Sequence, residues 1–182
     1  PSIGEPEVFH SEGETRISVI FPKHLRRRIL QALFTHHPYE EVAYEVYTLE
    51  NTHQHIGLGI IGYLETPMEE YAFLNFVKER MQTACVRHSA FLGKKIQKVA
   101  VLGGSGADAI GACIAAGCDA YITSDIKYHE FFKAEGRLLL ADIGHYESEQ
   151  FTKLLLWEQL TEKFSTFAFY LANTNTNPIN YL

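Results

Sequence analysis

No apolar run in this chain approaches the roughly 20 residues needed to span a bilayer, which argues against a membrane-embedded protein. No signal peptide is visible at its start. Cysteine is scarce: Cys85, Cys113 and Cys118 are too few and too unevenly spaced for a disulfide framework or a thiolate zinc site. Cys113 and Cys118 lie among small apolar residues and read as core thiols. Together these absences point to the cytoplasm. Positive charge is also in deficit, with 16 Lys and Arg against 22 Asp and Glu and a net charge of −6. That balance argues against electrostatic nucleic-acid binding by the whole chain, although Arg26, Arg27 and Arg28 form a local basic cluster. The cluster reads as the solvated side of a helix whose apolar side carries Leu25, Ile29 and Leu33.

What is present is the material of a packed core. Of 182 residues 46% are apolar and 13% aromatic, too rich for a disordered chain. The length suits one ordinary domain or two small ones. The chain opens Pro1-Ser2 without a methionine, and its first dozen residues read as a chain entered midway.

The first section has a β-α-β pattern. Residues 15–21 alternate, with Ile17, Val19 and Phe21 on one face; a helix follows Pro22 to about Phe34; residues 42–49 alternate again. Pro38 holds His37 out of the helical region between them. The second section begins with a Gly-studded strand over residues 56–62. Thr66-Pro67-Met68-Glu69 predicts a helix start, with Thr66 as cap and Glu69 closing a capping box. That helix should run to about Gln82 and bury Met68, Ala72, Phe76 and Val77. Strands are then expected at 99–102, 120–123, 138–141 and 166–171, with helices at 107–116 and 148–164 and a short one within 125–132. Helices between short apolar strands define an α/β protein with a mainly parallel or mixed sheet.

Four stretches could carry chemistry. Asp142-Ile143-Gly144-His145-Tyr146-Glu147-Ser148-Glu149 follows a buried strand and opens a helix, the place where α/β sheets gather ligands. A helical turn puts His145 and Glu149 on one face, able to hold one divalent ion or one each of a pair. An ordinary polar helix start, with Glu147 and Glu149 complementing the helix dipole, would look the same. Thr123-Ser124-Asp125-Ile126-Lys127-Tyr128-His129 also lies past a strand. There Asp125, Lys127 and His129 could orient an anion or relay protons, or simply form a surface turn. Gly104-Ser105-Gly106-Ala107-Asp108-Ala109 fits a permissive dinucleotide-binding pattern, with Asp125 about twenty residues on; its glycines could equally make a tight turn. His36-His37 invites a metal reading, but the next residues run straight into a strand. His53 and His55 flank a loop tip and read as solvent residues.

Taken together, these segments resemble the Nif-three-like dinuclear-metal proteins, also labelled type 2 GTP cyclohydrolase I. The resemblance rests on Gly57-Leu58-Gly59-Ile60-Ile61-Gly62 and Lys98-Val99-Ala100-Val101-Leu102-Gly103-Gly104-Ser105-Gly106. It continues through Tyr121-Ile122-Thr123-Ser124-Asp125-Ile126-Lys127-Tyr128-His129 and Gly144-His145-Tyr146 with Glu149. Residues 1–55, with His37-Pro38-Tyr39-Glu40-Glu41, resemble the ferredoxin-like α+β module inserted in longer members. Residues 56–182 then correspond to the C-terminal half of the main α/β domain. The resemblance implies a site for two divalent ions (zinc, iron or manganese), with His145 and Glu149 as ligands and Asp125 and His129 lining the same cavity. A histidine pair and an aspartate of the N-terminal half would complete it, so metal should be weakly held or absent in this chain alone. His36-His37 matches that pair in spelling only, and Ile60 stands where a basic residue is expected.

The expected function is a cyclohydrolase-like, metal-dependent hydrolase acting on a nucleotide or other small phosphorylated compound. A non-enzymatic metal-binding or interaction module is the alternative, and a dinucleotide-binding protein using residues 103–106 a further one. A homo-oligomer, a trimer or its multiple, suits the inserted module.

Overall fold

The computed structural model describes residue 11 and residues 13–51 and 56–182. The chain divides into two units, Pro1–Thr52 and His53–Leu182; the readings for His53 and His55 lie outside the described residues.

In the first unit a 3-10 turn, Lys23–Leu25, leads from Pro22 into helix α1, Arg26–His36. Leu25, Ile29 and Leu33 are partly covered while the three arginines face solvent, as the periodicity requires. His37 leaves the helix extended at ψ 138°, because the ring of Pro38 excludes the helical region for it. The flanking alternating segments do not form the expected strands. Residues 15–21 and 42–49 take no regular secondary structure and share no ladder among the described residues. They are linked through side chains, with Arg16 donating to Glu45 at 3.2 Å, and Tyr44 meeting Phe34 of α1 edge-on. Ile17 is 82% exposed, so the alternation has no face to bury and the pairing loses its main support.

In the second unit the sheet comprises β1 (Ile60–Met68), β2 (Arg87–His88), β3 (Ile96–Ser105), β4 (Ala120–Ser124) and β5 (Leu139–Asp142), in the order β1-β3-β4-β5-β2. The inner strands β3, β4 and β5 are parallel, and both flanking pairs are antiparallel. The period-2 pattern of the inner strands sends side chains into two cores. Ile96, Val99, Ala120, Ile122, Leu139 and Ala141 pack with Phe73, Leu74 and Val77 of helix α2 (Glu70–Arg80). Ala100, Tyr121, Leu138 and Leu140 pack with Ile110 and Cys113 of helix α3 (Ile110–Ala115), and with Cys118. The two thiols are buried as their surroundings foretold, and burial pushes Cys113 up to about 11.

Three local expectations are corrected. Thr66, Pro67 and Met68 do not start a helix but finish β1, where Met68 pairs with Ile96 after an irregularity. An edge strand tolerates Pro67, whose missing N–H the ladder does not need. The helix begins at Glu70, and its carboxylate turns inward to accept the amides of Leu92 (2.6 Å) and Gly93 (2.8 Å). That anchor selects the stripe Phe73, Leu74, Val77 for burial and leaves Ala72 and Phe76 outward. Second, the last helical region divides into α4 (His145–Glu149) and α5 (Thr152–Lys163), so that His145 itself opens a helix. Third, residues 166–171 form no strand and run irregularly, with Trp157 donating to the Phe169 carbonyl at 3.1 Å.

Among the described residues no helix is long and apolar enough to cross a membrane. Substituting Glu70→Ala strands two partly buried amides, and should lower stability in urea denaturation by about 1–3 kcal/mol. An unchanged midpoint would mean that these amides find water at no cost.

Candidate metal centre

The carboxyl ends of the three parallel strands converge on one spot. β4 ends at Ser124 and delivers Asp125; β5 ends at Asp142 and delivers Gly144 and His145; β3 ends in Gly103, Gly104 and Ser105 against α4. Asp125 (φ 57°) and Gly144 (φ 92°) both take left-handed backbone, which lets each strand turn sharply outward into the site. Asp tolerates that region better than most side-chain-bearing residues.

One buried carboxylate holds both turns. Asp142 Oδ2 accepts the Ile126 amide (3.0 Å), and its Oδ1 accepts the Gly144 amide (3.0 Å). Arg87 on the edge strand β2 donates to Oδ2 at 3.1 Å and to the Ile126 carbonyl at 2.8 Å. The residue after Asp125 and the residue before His145 are thereby tied to the same side chain. Sequence alone gives Asp142 and Arg87 no such role; the only signal is an acid at the end of an apolar strand.

Within this frame His145 stands between two acids. Its Nδ1 lies 2.6 Å from Asp125 Oδ2, and its Nε2 lies 3.4 Å from Glu149 Oε2. The short Nδ1 contact favours an N–H there that donates to Asp125, so Nε2 is the nitrogen that can exchange its proton, shared with Glu149, for a cation. Hydrogen bonding to Asp125 raises the imidazole above its ordinary 6.5; desolvation opposes it, and the negative charges of Asp125 and Glu149, with a hydrogen bond to Glu149, add to the rise. Glu149 rests on Gly104 (φ 69°): a Cβ there would come 2.5 Å from Glu149 Oε1 and 3.5 Å from His145 Cε1. Ser148 closes the joint, accepting the Gly104 amide and donating to the His145 carbonyl, each at 2.8 Å.

The structure thus brings Asp125, His145 and Glu149 together, while His129 stays apart. Its ring is exposed, edge-on to Tyr128 at 5.2 Å, and no hydrogen bond or ion pair joins it to the three. The Gly-rich segment has a different use from dinucleotide binding. The space beside Gly104 is taken by Glu149, and that beside Gly106 by Thr123 and Tyr121, so these glycines admit protein side chains. Tyr121 donates to the Gly106 carbonyl and Thr123 to the Gly104 carbonyl, closing the segment onto β4. In the first unit His37 Nδ1 accepts the Tyr39 amide at 3.1 Å, a turn contact.

The donor chemistry fits part of a divalent-ion shell: one imidazole nitrogen and one carboxylate, with an acid fixing the far side of the ring. No group of three or more His, Cys, Asp or Glu able to hold an ion is assembled among the described residues. Asp125 occupies the opposite nitrogen of His145, where it orients the ring.

The fold on which these residues stand is that of a known class. The chain belongs to the Duf34/NIF3 (NGG1p interacting factor 3) family, whose pattern matches residues 15–178. It is 35% identical over 185 residues to the GTP cyclohydrolase 1 type 2 homolog of Bacillus subtilis, covering 99% of this chain and 48% of that protein. With the Listeria innocua protein of the same name it shares 34% over 186 residues, covering 100% and 50%. The crystal structure of a Bacillus cereus protein related to NIF3 superposes with a TM-score of 0.67 at 34% identity, covering 89% of this chain and 46% of that one. Staphylococcus aureus protein SA1388 gives 0.70 at 26% identity, covering 91% and 55%. The chain spans about half the length of these curated relatives.

The Asp125–His145 pair has a pH signature. Because the folded imidazole is raised above 6.5, its contribution to stability is complete below 6.5 and fades as pH rises through the raised value. Histidine NMR titration of the metal-free chain should place His145 above 6.5, and Asp125→Asn should move it back towards 6.5. Identical titration of both proteins would remove the pairing.

Proposed function

We propose that this chain is the ligand-bearing part of a dinuclear-metal protein that acts as a metal-dependent, cyclohydrolase-like hydrolase on a nucleotide or other small phosphorylated compound. The observation that carries the reading is His145 held by Asp125 at Nδ1, with Nε2 turned to Glu149 at the ends of three parallel strands. The name shared by the Bacillus and Listeria relatives supports the same direction. His145 and Glu149 would hold a zinc, iron or manganese ion, with the rest of a two-ion site supplied by further residues beyond this chain.

A divalent ion there would polarise a bound oxygen and acidify a coordinated water. The chain's own residues prepare for it. Asp125 fixes the ring orientation of His145, accepts its Nδ1 proton and makes Nε2 a better donor. Gly104 lets Glu149 settle close to the ring, and Asp142 keeps the two loops at their spacing. His129, on the 3-10 segment Tyr128–Ala134 that follows Asp125, remains open to solvent and would meet a substrate as a proton carrier from outside the Asp125–His145–Glu149 group.

Three free cysteines, two of them buried, suit a reducing cytoplasm. A second reading, an interaction module whose role is assembly, draws on the exposed apolar residues of β1 and α5, among them Ile60, Tyr63, Leu155 and Leu156. Both readings accommodate a homo-oligomer, a trimer or its multiple. Light scattering at micromolar concentration should give such a mass, and a monomer would remove assembly from the account.

The metal reading is tested by thermal denaturation with and without manganese or zinc. In a full-length protein that carries the remaining ligands the wild type should gain melting temperature, His145→Ala should not respond, and Glu149→Gln should respond less than wild type. Indifference of that full-length wild type to both metals would overturn the assignment.

A further inference from the structure

A pocket of about 480 Å³ opens beside His145 and Glu149, and its far wall is built from the carboxyl-terminal segment, which the sequence reading left without a role. His145, Glu149 and Lys153 follow one another at four-residue steps. Gln150 and Phe151 between α4 and α5 keep right-handed helical backbone, so the three form one row along the helical face. All three line the pocket. The row passes from the donors of the candidate metal centre to a lysine that makes no ion pair among the described residues. Facing it are Thr174, Thr176 and Asn177, whose hydroxyls and amide can all donate hydrogen bonds.

One hydrogen bond ties this wall to α4, and two local ones shape it. Asn177 Nδ2 donates to Glu147 Oε1 at 3.0 Å, Asn177 Oδ1 accepts the Ile179 amide at 3.1 Å, and Asn175 Oδ1 accepts the Asn177 amide at 2.9 Å. Glu147 is 5% exposed, and its Oε2 is buried without a hydrogen-bond partner. Losing that bond would leave both oxygens of a buried carboxylate unpaired, which disfavours release of the tail. Pro178 and Ile179 add an apolar patch to the same pocket, suited to a flat ring.

We infer that this pocket is a phosphate subsite for the ligand of the adjacent centre. Lys153, Thr174 and Thr176 take the phosphate of a small phosphorylated compound, and the tail held by Glu147 and Asn177 sets which compounds fit. The inference rests on the metal-dependent reading above and extends it to a named cation and a named wall. Its electrostatics carry a consequence. Glu149 lies one helical turn from Lys153, and its negative charge opposes an anion there until a divalent ion neutralises it. Metal and phosphate should therefore strengthen one another's binding, each by the same factor.

The test is calorimetry on the full chain, titrating guanosine monophosphate and, in parallel, unphosphorylated guanosine, with and without manganese. The monophosphate should bind at least about tenfold more tightly than the nucleoside, the value of one charge-assisted contact. Manganese should increase that margin. Lys153→Met should erase it without weakening manganese binding, since it removes a positive charge one helical turn from Glu149, and Asn177→Ala, which frees the tail, should weaken both nucleoside and nucleotide. Equal binding of nucleotide and nucleoside, or a margin that survives Lys153→Met, overturns the subsite even if manganese binds well. Failure of manganese to bind this chain shows only that two of the proposed ligands hold the ion too weakly. The metal-free titrations then decide the subsite alone: a weaker margin that still depends on Lys153 sustains it, and no margin ends it.

Discussion

The carboxylate of Asp142 is the constraint on which the rest of the candidate centre depends. It sits at the end of β5, a strand buried along its whole length, is 4% exposed, and would be costly there without partners. It obtains them from the two loops that matter: the Ile126 amide after Asp125 and the Gly144 amide before His145, with Arg87 balancing the charge. The exposed chemistry of the centre is thus held by a buried polar junction.

Outward from that junction each residue has a task that depends on its neighbour. Asp125 sets the ring of His145, the helical turn of α4 brings Glu149 to the other ring nitrogen, and Gly104 leaves the room that Glu149 fills. Ser148 links the helix to β3. The same short helix reaches in two directions, since Glu147 on its buried side holds Asn177 and the tail. Metal-type donors and the pocket beside them therefore share one turn of helix. A change in how α4 is seated would move both.

Much of this was legible in the residues. The alternation of strand and helix, the buried thiols, the arginine face of α1 and the four-residue step from His145 to Glu149 follow from periodicity and local chemistry. Asp125 was visible as an acid just past a strand. The errors share a cause. Thr66-Pro67-Met68-Glu69 has the spelling of a helix start, yet pairing with β3 keeps it in a strand, because ladder hydrogen bonds and the pull of Glu70 outweigh a local cap. Residues 15–21 and 42–49 have the spelling of strands but lack a face to bury.

Sequence by itself determined the family, the α/β class and the residue types able to hold a divalent ion, because these depend on spacings of a few residues along the chain. Only the tertiary structure decided that Asp125 serves His145, twenty residues away, while His129, four residues from Asp125, does not join them. Contact across the ends of parallel strands depends on register and on the left-handed turns that follow each strand. Register is a property of the whole sheet. For the same reason the roles of Asp142, Gly104 and the tail emerged only in three dimensions. An acid, a glycine and an Asn-Pro pair are common in isolation, and what each does is set by the group folding places against it.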